Sequence, residues 1–182
     1  MGSRGKMFWF LALLPIMTGF DWGTKHLAQQ LPAHAEVHVI PGWVSFVHAE
    51  NPYAAFSTPL PVPFLIGAGV VLLTGLLFTV WRLPQTARVQ AAALALVCAG
   101  GVGNLVDRIL DGTVTDFVRV YTEHPMLAPW LIERFGTATW PIFNVADASL
   151  LCGVALWVIH GLFEREEPPM HDGGVDAQAP SV

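Results

Sequence analysis

The chain has 182 residues, of which 53% are hydrophobic and only 13% charged, against roughly 25% charged in ordinary soluble domains. With a mean hydropathy of +0.51, this composition predicts a single membrane-embedded domain and excludes an ordinary soluble one. A net charge of −5 and the lack of a dense basic run exclude nucleic acid as a partner, because nothing in the sequence could track phosphates.

In chain order, residues 1–6 form a short N-terminal stretch expected to be cytoplasmic, of which Met1 to Gly5 has the look of an expression scar. The first apolar run, residues 7–20, is uncharged but short. It reaches the ~20 residues a bilayer requires only by continuing through Asp21 and Lys25. Arg4 and Lys6 ahead of it, with Ala33-His34-Ala35 after it, imitate a cleavable signal peptide. That site, however, starts thirteen residues beyond Phe20 with two charges between, so the run is expected to stay as a span. Residues 29–63 follow. Within them His38 to Val47 alternates and is rich in β-branched and aromatic residues, predicting a small strand-turn-strand unit lying on the membrane.

Two further runs, residues 64–81 and 89–106, are uncharged throughout, the latter rich in Ala and Gly as close helix packing requires. A second outward segment, residues 107–140, leads to a fourth run, residues 142–163, whose single charge is Asp147. Trp43, Phe46 and Trp130 suit interfacial anchors. From Glu164 on, the tail carries Pro168, Pro169, Gly173 and Gly174 and is expected to be a disordered cytoplasmic segment, residues 164–182. Cys98 and Cys152 lie in apolar runs and suit packing between helices rather than a disulfide or metal site. The expected fold is an all-α membrane domain, residues 7–163, of four transmembrane helices with a small β-rich periplasmic unit between the first two. Arg4, Lys6, Arg82, Arg88 and Arg165 fall on one side of such a fold and Lys25, Arg108, Arg119 and Arg134 on the other, placing both termini in the cytoplasm.

Polar residues inside or beside these runs need a reason. A charge at the centre of a span costs on the order of 2.5–3.5 kcal/mol. Asp147 sits just inside the fourth run, and Asn144, three residues earlier, shares its helical face. At the end of the third run Asn104, Asp107 and Arg108 are spaced i, i+3, i+4. Asp116 follows within a few residues, on the same side of the membrane as the start of the fourth run. Asp116 and Asp147 can therefore meet. Two carboxyls sharing a site do not both ionise readily, and one base beside one acid is what water-mediated peptide hydrolysis requires. The plainer alternative is that these Asp residues cap helices and that Asp107 with Arg108 forms a solvated turn.

Four blocks carry a resemblance to a known family. Asp21-Trp22-Gly23-Thr24-Lys25 is similar to an Asp-Gln-x-Thr-Lys element. Asn51-Pro52-Tyr53-Ala54-Ala55-Phe56-Ser57 is similar to an Asn-x-Gly-Ala-Ala-Phe-Ser element. Gly103-Asn104-Leu105-Val106-Asp107-Arg108, followed by Gly112 and Val114-Thr115-Asp116-Phe117, resembles a third block, and Phe143-Asn144-Val145-Ala146-Asp147-Ala148 a fourth. Their order and their positions at helix ends resemble signal peptidase II. The resemblance implies an aspartic endopeptidase of the bacterial inner membrane, its active site facing the periplasm. Such an enzyme removes signal peptides from prolipoproteins that carry a diacylglyceryl-modified cysteine. It implies Asp116 and Asp147 as the catalytic pair, with Asn51, Asn104, Arg108, Asn144, Asp21 and Lys25 supporting or positioning substrate, no metal and no cofactor. The partners would be the prolipoprotein and membrane lipid, with a monomer expected. Asp21 and Lys25, at i, i+4, also suit a plain ion pair. Trp22 departs from the family's Gln and Tyr53 from its Gly, and the thirty residues between Asp116 and Asp147 exceed the usual spacing. The extra length falls in residues 122–139 and is expected to form a lid or rim over the site. Two other functions fit intramembrane carboxyls less well: a proton relay, which needs polar groups across the bilayer depth, and a catalytically silent scaffold.

Overall fold

The computed structural model describes residues 5–32, 34–53 and 58–164. Arg4, Ala33, the Ala54 to Ser57 part of the second block, Arg165 and the predicted disordered tail lie outside the described residues, apart from Glu164, which ends the last helix.

Among the described residues, five helices and three strands follow one another as α1 (Lys6–Gln29), β1 (Val37–Ile40), β2 (Val44–Asn51), α2 (Val62–Arg82), α3 (Arg88–Leu110), β3 (Val114–Val120), α4 (Leu127–Phe135) and α5 (Val145–Glu164). The protein is a mostly helical membrane protein. Three of its helices, Val62–Arg82, Arg88–Leu110 and Val145–Phe163, are long and apolar enough to cross a bilayer. α1 has 24 residues but carries Pro15, Asp21 and Lys25 within it.

α3 is the central helix, packed by α1 and α5 on its flanks and by α2. Its small residues explain how. Ala91, Ala93, Ala95 and Gly100 are buried, and a side chain at Gly100 would run into the carbonyl of Ala146 on α5. From the other helix, a Cβ at Gly153 would stand 2.6 Å from the Ala93 carbonyl. With no hydrophobic force between helices in lipid, such close backbone approach is what holds them. Phe10, Val80, Leu94 and Cys98 fill the seam between α1, α2 and α3. Cys98 packs as expected; Cys152 instead faces outward and is exposed. At this end of the bundle the buried Lys6 donates from Nζ to the carbonyls of Trp81 (2.9 Å) and Leu83. A cation thus meets the unsatisfied C-terminal carbonyls of α2.

Three features correct the expected fold. The β-rich unit is a three-stranded antiparallel sheet in the order β1-β2-β3. Only two strands come from between α1 and α2; the third arrives after α3, because Gly112 (φ +76°) turns the chain back into an extended run. The fourth apolar run begins as strand-like backbone: Phe143 bridges Val118, and the helix starts only at Val145. Asp147 therefore sits in the first turn of α5 rather than deeper inside it. Finally, the extra residues 122–139 contain a helix of their own, α4.

A backbone-to-backbone contact cannot be relieved by moving a side chain. Gly100→Ala should therefore destabilise the detergent-solubilised protein by at least the ~1–3 kcal/mol typical of overpacking. Gly161→Ala, with nothing near its Cβ position, should leave the melting temperature unchanged. Equal melting temperatures for the two variants would refute this account of the α3–α5 seam.

Candidate active site

The site is built around the start of α5. The first N–H groups of a helix have no partner within it, and in a membrane protein they cannot be left unpaired. Here Asn144 caps the helix: its Oδ1 accepts from the Asp147 N–H at 2.9 Å, while Asp147 Oδ2 accepts from the Asn144 N–H at 3.2 Å. This reciprocal pair is a capping box. The next open donor, the Ala146 N–H, is met by Asp21 Oδ1 at 2.7 Å, a carboxylate brought in from α1. Asp21 fits because Gly103 leaves it room, since a side chain there would strike its Oδ2.

The cap turns Asn144 so that its amide nitrogen points away from the helix. That nitrogen donates to Asp116 Oδ1 at 2.7 Å, with Asn104 Oδ1 at 3.1 Å and the Thr115 carbonyl at 3.3 Å. Asn144 is 0% exposed. Asp116 comes from β3, which the Phe117 and Val118 N–H groups tie to the Phe143 carbonyl. Its second oxygen accepts from Asn51 Nδ2 at 2.9 Å. β2 takes three steps from Phe46 to Ala49 where β3 takes two from Val118 to Asp116. Such bulges re-aim side chains beside active sites. Asp116 is 3% exposed. Burial pushes its pKa up to about 6, with the nearby Asp147 charge adding and the bonds from Asn51 and Asn144 opposing.

Asp147 is half-buried, and its Oδ1 accepts from Asn104 Nδ2 at 2.7 Å. Asn104 cannot be turned the other way round, because its oxygen accepts from the Lys25 ammonium at 3.1 Å and an ammonium only donates. All four oxygens of the two carboxyls are thus fixed by amide N–H groups.

Lys25 is 3% exposed and pairs with Asp21 and Asp107, both at 2.8 Å. Asp107 is therefore part of a buried ion cluster and not a solvated turn; its Oδ2 also accepts from the Thr115 N–H at 3.3 Å. Arg108 donates to the Asn104 carbonyl at 3.2 Å and the Tyr53 carbonyl at 3.1 Å, and its charge is felt by Asp147, Asp116 and Asp107. Lys25 is committed to two carboxylates and adds only a smaller attraction at Asp116, so Arg108 is the cation that acts on both Asp116 and Asp147. Two carboxyls against one cation favour retention of one proton between them.

The structure draws all eight sequence-selected residues, Asp21, Lys25, Asn51, Asn104, Arg108, Asp116, Asn144 and Asp147, into one hydrogen-bonded or electrostatically linked cluster. Sequence reading passed over Gln29, whose Nε2 donates to Thr115 Oγ1 at 3.0 Å, and Thr115 itself. Gln29 lies one helical turn past Lys25, a spacing that could have marked it. Tyr53 contributes its backbone carbonyl to Arg108, a contact that a Gly at this position could make equally well.

A family model described as signal peptidase (SPase) II, peptidase family A8, matches residues 13–163. A lipoprotein signal peptidase of Chlorobium luteolum is 35% identical over 176 residues, covering 92% of this chain and 99% of that protein. Another, from Chlorobium phaeobacteroides, is 34% identical over 158 residues, covering 84% and 89%. A solved bacterial membrane enzyme, determined by the in meso method at 2.3 Å resolution, shares the fold with a TM-score of 0.78, at 24% identity over 94% of this chain and 98% of its own. With described residues from all four blocks drawn into one site at the end of the helix bundle and its length matched almost throughout, the chain belongs to the signal peptidase II family.

Proposed function

We propose that the protein removes signal peptides from prolipoproteins by water-mediated aspartyl hydrolysis, with Asp116 and Asp147 as the catalytic pair. The observation that carries this reading is Asn144, which holds one carboxyl by its side-chain amide and the other by its backbone N–H. Such a shared anchor sets two carboxyls side by side without bonding them to each other, leaving an outer lone pair to accept from a water and an acid O–H to donate to a substrate carbonyl. Among the described residues, charged groups gather at one end of the bundle, with Lys6 alone buried at the other, which argues against a relay crossing the membrane.

In the proposed reaction Asp147, more open and under the Arg108 charge, is the carboxylate that takes a proton from water. Asp116, whose burial favours the acid, donates its proton to the scissile carbonyl oxygen as the water oxygen bonds to the carbonyl carbon. Collapse of the resulting gem-diol breaks the C–N bond as the proton taken up by Asp147 passes to the leaving amine and one gem-diol O–H proton returns to Asp116, which leaves a carboxylic acid and restores both groups. Asn51, Asn104 and Asn144 fix both carboxyls. Asp21 and Lys25 fix Asn104 and the start of α5.

α1 would complete a set of four crossings, its 24 residues spanning roughly 36 Å at 1.5 Å per residue. The ends carrying Lys6, Arg82 and Arg88 would face the cytoplasm and the sheet the periplasm. The dyad would then lie at the outer boundary of the inner membrane. A diacylglyceryl-modified cysteine could keep its chains in lipid while the adjoining peptide bond reaches the carboxyls. The protein would act as a monomer, since both carboxyls come from one chain.

Three outcomes test the reading. With purified protein and a diacylglyceryl-modified prolipoprotein, Asp116→Asn and Asp147→Asn should each lower the cleavage rate by roughly 10²–10⁴-fold. The double variant should be scarcely slower, because such losses are not additive. Appreciable cleavage by either single variant would overturn the mechanism. For stability, the folded state binds the Asp116 proton more tightly than the unfolded chain does. Its contribution is thus fully present below the ordinary carboxyl range and is lost as pH rises from about 4 to about 6. Relative to Asp116→Asn, the wild type should lose on the order of 2–3 kcal/mol over that window; a constant gap between their melting curves would contradict the assignment. For topology, reporter fusions after Arg165 and within residues 122–139 should report opposite sides of the membrane. The same side for both would sink the four-crossing arrangement.

A further inference from the structure

The excursion between Tyr121 and Thr139 takes no part in the chemistry above. Its base is closed: Tyr121 and Thr139 form an antiparallel bridge, and the Thr122 N–H donates to the Ala138 carbonyl at 3.0 Å. Beyond that base stands α4, nine residues long and ended by Gly136 at φ +79°. A helix of that length is not stable by itself in water, where even good formers need about 12–15 residues. It must rest on something, yet no residue of α4 is buried.

Its sequence says what that something is. Leu127, Ala128, Leu131, Ile132 and Phe135 recur at helical spacing and share one side, while Glu133 falls opposite and Arg134 at the edge beside Leu127. Ile132 is 53% and Phe135 66% exposed. Trp130 stands edge-on to Phe135, with ring centroids 6.0 Å apart. Just past the excursion Trp140 is 61% exposed, its N–H bonded to the Val120 carbonyl. From Val120 it is two residues along β3 to Val118, whose partner Phe143 immediately precedes the cap of a membrane-spanning helix. That is only about 7 Å of strand. An amphipathic helix with one tryptophan in it and another just after it, on an excursion whose base closes one strand segment from the end of a span, is placed where headgroups meet acyl chains.

We propose that α4 lies in the outer headgroup boundary with its apolar side toward the acyl chains. It forms a membrane attachment separate from the spanning helices. Glu133 and Arg134 cancel, so the attachment is apolar and does not depend on anionic lipid. Because α4 hangs from the end of the strand that carries Asp116, it holds the sheet at a fixed height above the boundary, where a lipid-tethered peptide bond arrives. α4 is then a support beside the site rather than a lid over it. The height-setting role rests on the peptidase reading; the attachment itself does not.

The test uses the full chain in vesicles of phosphatidylcholine, with and without phosphatidylglycerol. Nitroxide labels are placed at Ile132→Cys or Glu133→Cys, with Cys152→Ser removing the exposed native thiol. Power saturation should show the label at 132 reached by oxygen and shielded from a water-soluble nickel chelate, and the label at 133 the reverse, in both vesicle types. A nickel-accessible label at 132, or one shielded from both reagents as a protein partner would shield it, overturns the attachment. A lipid-like profile that needs phosphatidylglycerol overturns its apolar basis. The paired change Ile132→Glu with Phe135→Glu should leave the melting temperature in detergent unchanged, since neither side chain is buried. It should raise KM several-fold for vesicle-embedded prolipoprotein while sparing kcat; an unchanged KM refutes the positioning role. The accessibility profile involves no cleavage, so it decides the attachment even if the dyad assignment fails.

Discussion

A helix that begins at the edge of a membrane must find partners for its first backbone N–H groups, and the site follows from how α5 finds them. Asn144 and Asp147 satisfy each other's backbone, and Asp21 satisfies Ala146. Meeting that need draws carboxylates to the positive end of the helix, where its dipole favours them. The same residues that make α5 start cleanly thus supply half of a carboxyl pair and the amide that holds the other half. Helix capping and the proposed chemistry, alternative readings of these Asp residues in the sequence, draw on one arrangement.

Charge balance does the rest. Lys25 is buried and cannot stay so without opposite charge, since an unpaired buried ion is destabilising by several kcal/mol. Asp21 and Asp107 supply it. Lys25 in turn has a third donor direction, and Asn104 takes it. Orientation is passed from a cation on α1, through an amide on α3, to a carboxyl on α5. Each member of this chain is fixed by what it can donate or accept, so the geometry around Asp147 does not rely on packing alone.

Much of this was legible in the sequence because the chemistry is local. Asn144 and Asp147 are three residues apart, as are Asn104 and Asp107, and helical spacing alone places each pair on one face. What was illegible depends on long-range contacts. Hydropathy runs through Ile142 and Phe143 without a break, so the fourth helix reads as starting three residues early; only the pairing of Phe143 with β3 stops it. Asp107 next to Arg108 reads as a solvated turn until α1 delivers Lys25. The third strand, β3, is short and follows a helix, and its partner β2 lies more than sixty residues earlier. α4 lies in residues 122–139, which the sequence marks only as extra length; its Pro129 falls in the first turn, where proline is tolerated.

The ion pair between Lys25 and Asp21 also bears on how such a chain is made. α1 is synthesised first, and Asn104, one of the groups that will hold Lys25, lies 79 residues further along. Until α3 emerges, neither Asn104 nor Asp107 exists. Asp21, four residues away on the same helix, is the partner already at hand. A nascent α1 that carries its own counter-ion can enter the lipid edge nearly neutral and wait there. The later helices then convert a temporary two-body pair into the permanent cluster, so the order of translation and the order of charge burial agree.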